Sequence, residues 1–165
     1  MATVYIETSI VSYVTARPSS DIQIAALQQQ ARDWWAIERR NFDLVTSQLV
    51  IDEASVGDPQ AAAARLKLLQ GLSTVPIDDD VRQLAQAILS ESIMPKKAAA
   101  DALHVAAAAN AGIEYLLTLN CRHIANAHEL PRIYRLLNDH GLGQLLICTP
   151  AEFLGGESDD EGSHS

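Results

Sequence analysis

The chain has 165 residues, 48% of them hydrophobic and 20% charged, a length and balance suited to one globular domain with its own core. Its formal charge of −9 argues against a surface built to attract anionic polymers, although Glu157, Asp159, Asp160 and Glu161 alone supply four of those charges. No apolar stretch is long enough to span a bilayer, the N-terminus lacks the basic and apolar regions of a signal peptide, and Cys121 and Cys148 make no disulfide framework, so a cytoplasmic protein with reduced thiols is expected.

Thr3 to Ile6 reads as a first strand that stops abruptly on Glu7-Thr8-Ser9. Arg17-Pro18-Ser19-Ser20 reads as a loop, and Ser20 with Gln23 forms a capping-box pattern that opens a helix. Ile24, Leu27, Ala31 and Trp34 or Trp35 recur at helical spacing, which predicts about six turns ending near Arg40-Asn41. Asp43 to Thr46 is a second strand, and Ser47 is placed to cap a helix carrying Leu49, Val50, Glu53 and Ala54. Asp58-Pro59 starts the next helix, where proline is tolerated because a first-turn N–H lacks a helical partner, and Gly71 stops it.

Val75 to Ile77 reads as a short strand, followed by Asp78-Asp79-Asp80, whose charge suits the positive end of a helix dipole. Pro95 marks a break, and Lys96 to Asn110 is an alanine-rich helix closed by Ala111-Gly112. An apolar strand over 113–119 then stops on Asn120. Pro131 to His140 reads as a helix ended by Gly141, Gln144 to Cys148 as a last strand, and Thr149-Pro150-Ala151-Glu152 as a final capping box. Alternating strands and helices predict an α/β fold over residues 1–154, three layers with a mainly parallel central sheet flanked by helices. The polar, acidic stretch 155–165 reads as a disordered tail.

Open α/β sheets gather ligands beyond the carboxyl ends of their strands, where Glu7 and Asn120 both fall, and oxygen donors there suit a hard cation. Asp101 stands as a lone carboxylate in Lys97-Ala98-Ala99-Ala100-Asp101-Ala102-Leu103-His104-Val105-Ala106, a setting where a charge is rarely buried unless paired or metal-bound. Its plainer role is an ion pair with Lys97, worth about 0.3 to 0.5 kcal/mol if exposed. The plainer role for Glu7 is to cap nearby amides. His104 reads as a satisfied helix histidine and not a ligand, and Cys121, His123 and His128 lack the spacing of a zinc motif. Trp34 and Trp35 fit core or dimer interface better than base stacking. Lys96, Lys97, Arg122 and His123 flank the proposed site as phosphate contacts or solvated charge.

Four local motifs, in order, resemble those of the PIN-domain nucleases, and among them the VapC-like toxins of toxin–antitoxin pairs. They are Glu7-Thr8-Ser9; Glu53 in Ser47-Gln48-Leu49-Val50-Ile51-Asp52-Glu53; Asp101 with His104 in its alanine-rich helix; and Thr118-Leu119-Asn120-Cys121-Arg122-His123. The similarity covers residues 3 to about 153, and it favours Glu53 over Asp52, which points about 100° away around the helix. The chain departs from the family's usual pattern in having Glu7 for an aspartate, and the neutral Asn120 where an acid is common.

The resemblance implies hydrolysis of RNA phosphodiesters with Mg²⁺ or Mn²⁺, with Glu7, Glu53 and Asp101 as metal ligands and Asn120 as auxiliary ligand or water positioner. Thr8 or Ser9 would orient a carboxylate. It further implies a toxin blocked by a cognate antitoxin protein and a homodimer. Two alternatives are a catalytically inactive PIN-fold module that binds RNA or protein, and a phosphatase-type hydrolase acting on small phosphoesters.

Overall fold

Strands β1 (Thr3–Ile6), β2 (Asp43–Ser47), β3 (Ser73–Val75), β4 (Tyr115–Leu117) and β5 (Leu146–Cys148) form one sheet in the order β3-β2-β1-β4-β5. Every neighbouring pair is parallel, and parallel neighbours require crossover connections, which the helices supply. The computed structural model describes residues 1–91, 94 and 98–154. Its helices are α1 (Thr8–Thr15), α2 (Ile22–Asp33), α3 (Gln48–Ala54), α4 (Pro59–Leu69), α5 (Asp79–Ser90), α6 (Ala99–Asn110), α7 (Leu130–Asp139) and α8 (Ala151–Leu154). The α/β architecture with helices flanking a parallel sheet is the one expected.

Central β1 is apolar on both faces because both are covered: Val4, Tyr5 and Ile6 are all fully buried. The chain leaves β1 toward β2 and β3 on one side and returns through β4 and β5 on the other. The direction of winding therefore reverses between β1 and β4, and the connections beyond their carboxyl ends part to leave a crevice. Glu7 follows β1, and its backbone N–H bonds the Leu117 carbonyl of β4 at 3.2 Å. The segment carrying Thr118 and Asn120 leaves from the same edge.

Several local expectations shift. Helix α1 is hidden in the sequence because Thr8, Val11, Val14 and Thr15 are β-branched residues with weak helix propensity. Tertiary packing of the buried Ile10 and Val11 and a cap by the Glu7 carboxylate stabilise it. The cap of α2 is Asp21 instead of Ser20; its Oδ1 accepts from the N–H groups of Gln23 at 2.9 Å and Ile24 at 3.1 Å. The six-turn helix is regular only to Asp33, then widens into a π turn at Trp34–Glu38 and tightens into a 3₁₀ turn at Arg39–Asn41. Trp34 is buried there, its ring stacked on Phe42 at 6.1 Å and edge-on to Phe153 at 5.9 Å, so it is a core residue.

The third strand lies two residues earlier than Val75 to Ile77, pairing with β2 through Ser73, Thr74 and Val75. Ser47 caps α3 as expected, Gly71 at φ +84° and Gly141 at φ +73° take the left-handed conformation that stops a helix, and Glu152 accepts the Thr149 N–H at 3.0 Å. Cys121 and Cys148 are both free thiols. Pro95, Lys96, Lys97 and residues 155–165 lie outside the described residues, and with them the start of the alanine-rich helix, the Lys97–Asp101 pair and the acidic tail. Among the described residues no helix is long and apolar enough to cross a membrane.

Candidate active site

Four chain segments distant in sequence meet at the crevice. Glu7 ends β1 with its carboxylate 5% exposed, and all its recorded bonds fall on Oε2. That oxygen accepts from the Ser9 backbone N–H at 3.0 Å, from the Ser9 hydroxyl, and from the Thr118 hydroxyl at 2.9 Å. Thr118 Oγ1 accepts in turn from the Asn120 N–H at 2.9 Å, and the Asn120 Nδ2 donates to Asp101 Oδ1 at 3.1 Å. A continuous hydrogen-bonded path thus joins Glu7 at the end of β1 to Asp101 on α6.

A second path serves Glu53 on α3. Its Oε1 accepts from the Thr8 hydroxyl at 2.6 Å and meets His104 Nε2 at 2.7 Å. His104 lies three residues beyond Asp101, on the same side of α6. Its Nδ1 is 2.8 Å from the Tyr5 hydroxyl, which is 2.7 Å from the hydroxyl of Ser47. Thr8 and Ser9 therefore each hold a different carboxylate, Glu53 and Glu7. Asp52, the sequence neighbour of Glu53, is exposed and accepts instead from Gln48 at 2.9 Å.

The surroundings tune the two helical acids differently. Burial pushes the Glu53 carboxyl upward, but His104, by hydrogen bond and charge, and Thr8 together outweigh it, leaving the group below its ordinary value. For Asp101, burial is the largest influence and Glu53 adds to it, so the group is held above its ordinary value against His104, His123 and Asn120. Burial likewise raises the Tyr5 phenol, with Glu7 and Glu53 contributing, so its hydroxyl keeps its proton. Glu53 thus acts on both Asp101 and Tyr5, and Glu7 acts on Tyr5.

The Asn120 Oδ1 accepts from the His123 backbone N–H at 3.1 Å while its amide nitrogen donates to Asp101, so the side chain holds Asp101. His123 lies near enough to Asp101 to favour its charged form, whereas Arg122 is exposed. Sequence reasoning missed Tyr5, Ser47 as a bonding partner, and Thr118. A tyrosine in the middle of an apolar central strand was the available signal, because a buried hydroxyl needs a partner.

Among the described residues no three His, Cys, Asp or Glu side chains stand close enough to clasp a metal ion as placed. The donor chemistry nonetheless fits one. In Glu7, Glu53 and Asp101 one oxygen takes every bond recorded among the described residues, leaving Glu7 Oε1, Glu53 Oε2 and Asp101 Oδ2 without one. Three carboxylate oxygens suit Mg²⁺ or Mn²⁺ and suit zinc or copper poorly. A 500 Å³ depression lined by Trp35, Arg39, Arg40, Phe42 and Asp43 lies at the opposite, amino end of β2 and shares no residue with this site.

The PIN domain family model matches residues 4–129, an interval that contains Glu7, Glu53, Asp101 and Asn120. The chain belongs to the PIN domain family. No curated protein matches it. PIN domains are generally nucleases, hydrolases that use divalent metal ions, and the crevice of this PIN domain offers hard oxygen donors at the sheet edge where such chemistry belongs.

Proposed function

We propose that this PIN domain is a metal-dependent endoribonuclease that hydrolyses RNA phosphodiester bonds, with Glu7, Glu53 and Asp101 as the ligands of Mg²⁺ or Mn²⁺. The observation that carries the reading is the pair of hydrogen-bonded paths that brings three acids from β1, α3 and α6 to one sheet edge, each with an oxygen that no described residue bonds. A bound divalent ion would polarise the phosphoryl group and make water a better nucleophile at neutral pH. The protein's own part is positional. Thr8 and His104 orient Glu53, Ser9 and Thr118 orient Glu7, and Asn120 orients Asp101. No side-chain nucleophile is required.

The same reading makes the protein the toxin of a toxin–antitoxin pair, cytoplasmic and inhibited by a cognate antitoxin that places a basic side chain among the acids. Residues 1–154 are the working domain and 155–165 a tail outside it. A homodimer is part of the proposal, carried over from the resemblance to VapC-like toxins. The alternative of a binding module without catalysis draws on Glu7, one methylene longer than the family's usual aspartate, and on Asn120, whose neutral amide stands where an acid would add charge.

The test is incubation of purified protein with tRNA and ribosomal RNA, with Mg²⁺ or Mn²⁺ or with chelator, beside Asp101→Asn. Chelator-sensitive cuts that vanish in the variant are expected. RNA binding with no cleavage under any metal would select the module reading, and hydrolysis of small phosphate esters alone would select the phosphatase reading.

A further inference from the structure

The buried chain behind Glu53 places three polar side chains in the interior. Ser47, Tyr5 and His104 are each fully buried, and a polar group removed from water is tolerated only if its bonds are replaced. They replace one another's in series. Ser47 Oγ accepts the Val50 N–H at 3.3 Å as the cap of α3, which leaves its own proton for the Tyr5 oxygen at 2.7 Å. Tyr5 can then give its proton to His104 Nδ1 at 2.8 Å, and His104 Nε2–H donates to Glu53 Oε1 at 2.7 Å. This direction gives each of the three protons an acceptor and ends on a carboxylate.

The path also closes geometrically. It begins at Ser47, the cap of α3, crosses β1 and α6, and returns to α3 at Glu53. A seven-residue helix is too short to hold its own orientation by helical cooperativity. The ring ties both of its ends to the rigid centre of the sheet and to α6. Tyr5 sits in the middle of β1, the strand with neighbours on both sides, so the anchor is the least mobile element available.

We propose that His104, fixed in one tautomer by Tyr5 and Ser47, is a positioning residue that commits Glu53 Oε1 to the protein and leaves Oε2 as the metal-facing oxygen. The inference rests on the reading of Glu53 as a metal ligand and adds which residues decide its geometry. Neither Tyr5 nor Ser47 reaches substrate in this scheme; they act through His104, and His104 acts through Glu53. Chains of this kind polarise along their length, so loss of an early link is felt at the carboxylate.

The experiment measures Mn²⁺ binding by titration calorimetry on the folded full-length protein, together with kcat and KM for RNA cleavage, in wild type, Glu53→Gln, Tyr5→Phe, His104→Gln and His104→Leu. Tyr5→Phe keeps ring and shape but removes the link to Nδ1. His104→Gln keeps an N–H donor near the place of Nε2, and His104→Leu removes it. The expected result is Mn²⁺ affinity weakened about 10- to 100-fold in His104→Leu and about 10-fold in Tyr5→Phe, with kcat falling in parallel, KM for RNA unchanged, and most of the loss recovered in His104→Gln. A purely structural role would lower the melting temperature and leave the affinity of folded protein unchanged. If Glu53→Gln loses Mn²⁺ while Tyr5→Phe and His104→Leu bind it like wild type, the positioning role is overturned and the metal site stands. If Glu53→Gln binds Mn²⁺ unaltered, the site reading itself fails. Should His104→Leu not fold, Tyr5→Phe and His104→Gln carry the decision.

Discussion

Glu53 and Asp101 are close enough for each to feel the other's charge, yet their surroundings drive them in opposite directions. Among the described residues, Glu53 has two side-chain donors on one oxygen and is held below its ordinary value, whereas Asp101 has one, the Asn120 amide, and is held above it. The difference shows that burial alone does not set the state of an acid in this crevice. The donors and the neighbouring charges that face it also count. The surroundings of one carboxylate favour its anion, and those of the other disfavour it.

The contrast is largest in what removing each charge would do. Both Asp101→Asn and Glu53→Gln should reduce cleavage by more than the roughly 100-fold that a supporting residue costs. Their effects on folding should differ. Glu53→Gln weakens two hydrogen bonds that a charge strengthens, and about 1 to 2 kcal/mol of stability should be lost without metal. Asp101→Asn removes a desolvated charge, so metal-free stability should be kept or raised. Urea unfolding in chelator, run on both variants, checks this; equal losses would mean that the two acids are alike. Adding Mn²⁺ should stabilise wild type by an amount that rises with its concentration, and neither variant should respond as strongly.

Asn120→Ala should fall next in size. It deprives Asp101 of the one side-chain donor it has among the described residues, and the His123 N–H of its acceptor. A loss of about 1 to 2 kcal/mol is expected, with cleavage reduced about 10-fold as Asp101 loses its fixed orientation. If cleavage falls as far as in Asp101→Asn, Asn120 does more than hold its neighbour.

How much of this contrast could be read from the chain depends on which contacts are local. The strand that ends on Glu7, the cap at Ser47, the stops at Gly71 and Gly141 and the alternation behind a parallel sheet all rest on patterns within a few residues, and all are present. The ordered motifs also pointed to Glu7, Glu53 and Asp101. What the chain concealed was long-range. Helix α1 has poor propensity and depends on packing, and the Tyr5–His104 and Thr118–Glu7 bonds span 99 and 111 residues. The bond from Asn120 to Asp101 was hidden for the same reason: an amide carries an acceptor and a donor, and only the fold decides which one meets a given neighbour.

A smaller effect should appear in the pH dependence of stability. For Glu53 the folded group lies below its unfolded value of 4.5, so its contribution is present above that value and is lost as pH falls through the folded one. For Asp101 the folded group lies above its unfolded value of 3.8. The folded state then takes up a proton first as pH falls, so the penalty for its charge is relieved on acidification and fully present above the raised value. Unfolding midpoints from about pH 3 to about pH 7, as differences from wild type, should slope one way for Glu53→Gln and the opposite way for Asp101→Asn. Parallel slopes would contradict the assignment of donors.

The smallest effect belongs to Asp52, and it sharpens the comparison because the residue is adjacent to Glu53 on the same helix. A carboxylate moved by one position along a helix turns by about 100°, and that turn takes Asp52 from the crevice to solvent. There it accepts from the Gln48 amide at 2.9 Å, an exposed pair separated by four residues. Such a bond contributes a few tenths of a kcal/mol, so Asp52→Asn should change stability by less than about 0.5 kcal/mol. Cleavage and Mn²⁺ affinity should stay at wild-type levels. If Asp52→Asn instead lost Mn²⁺ while Glu53→Gln kept it, the helix would have to present its other face to the site, and the His104 bond to Glu53 would be a structural contact only.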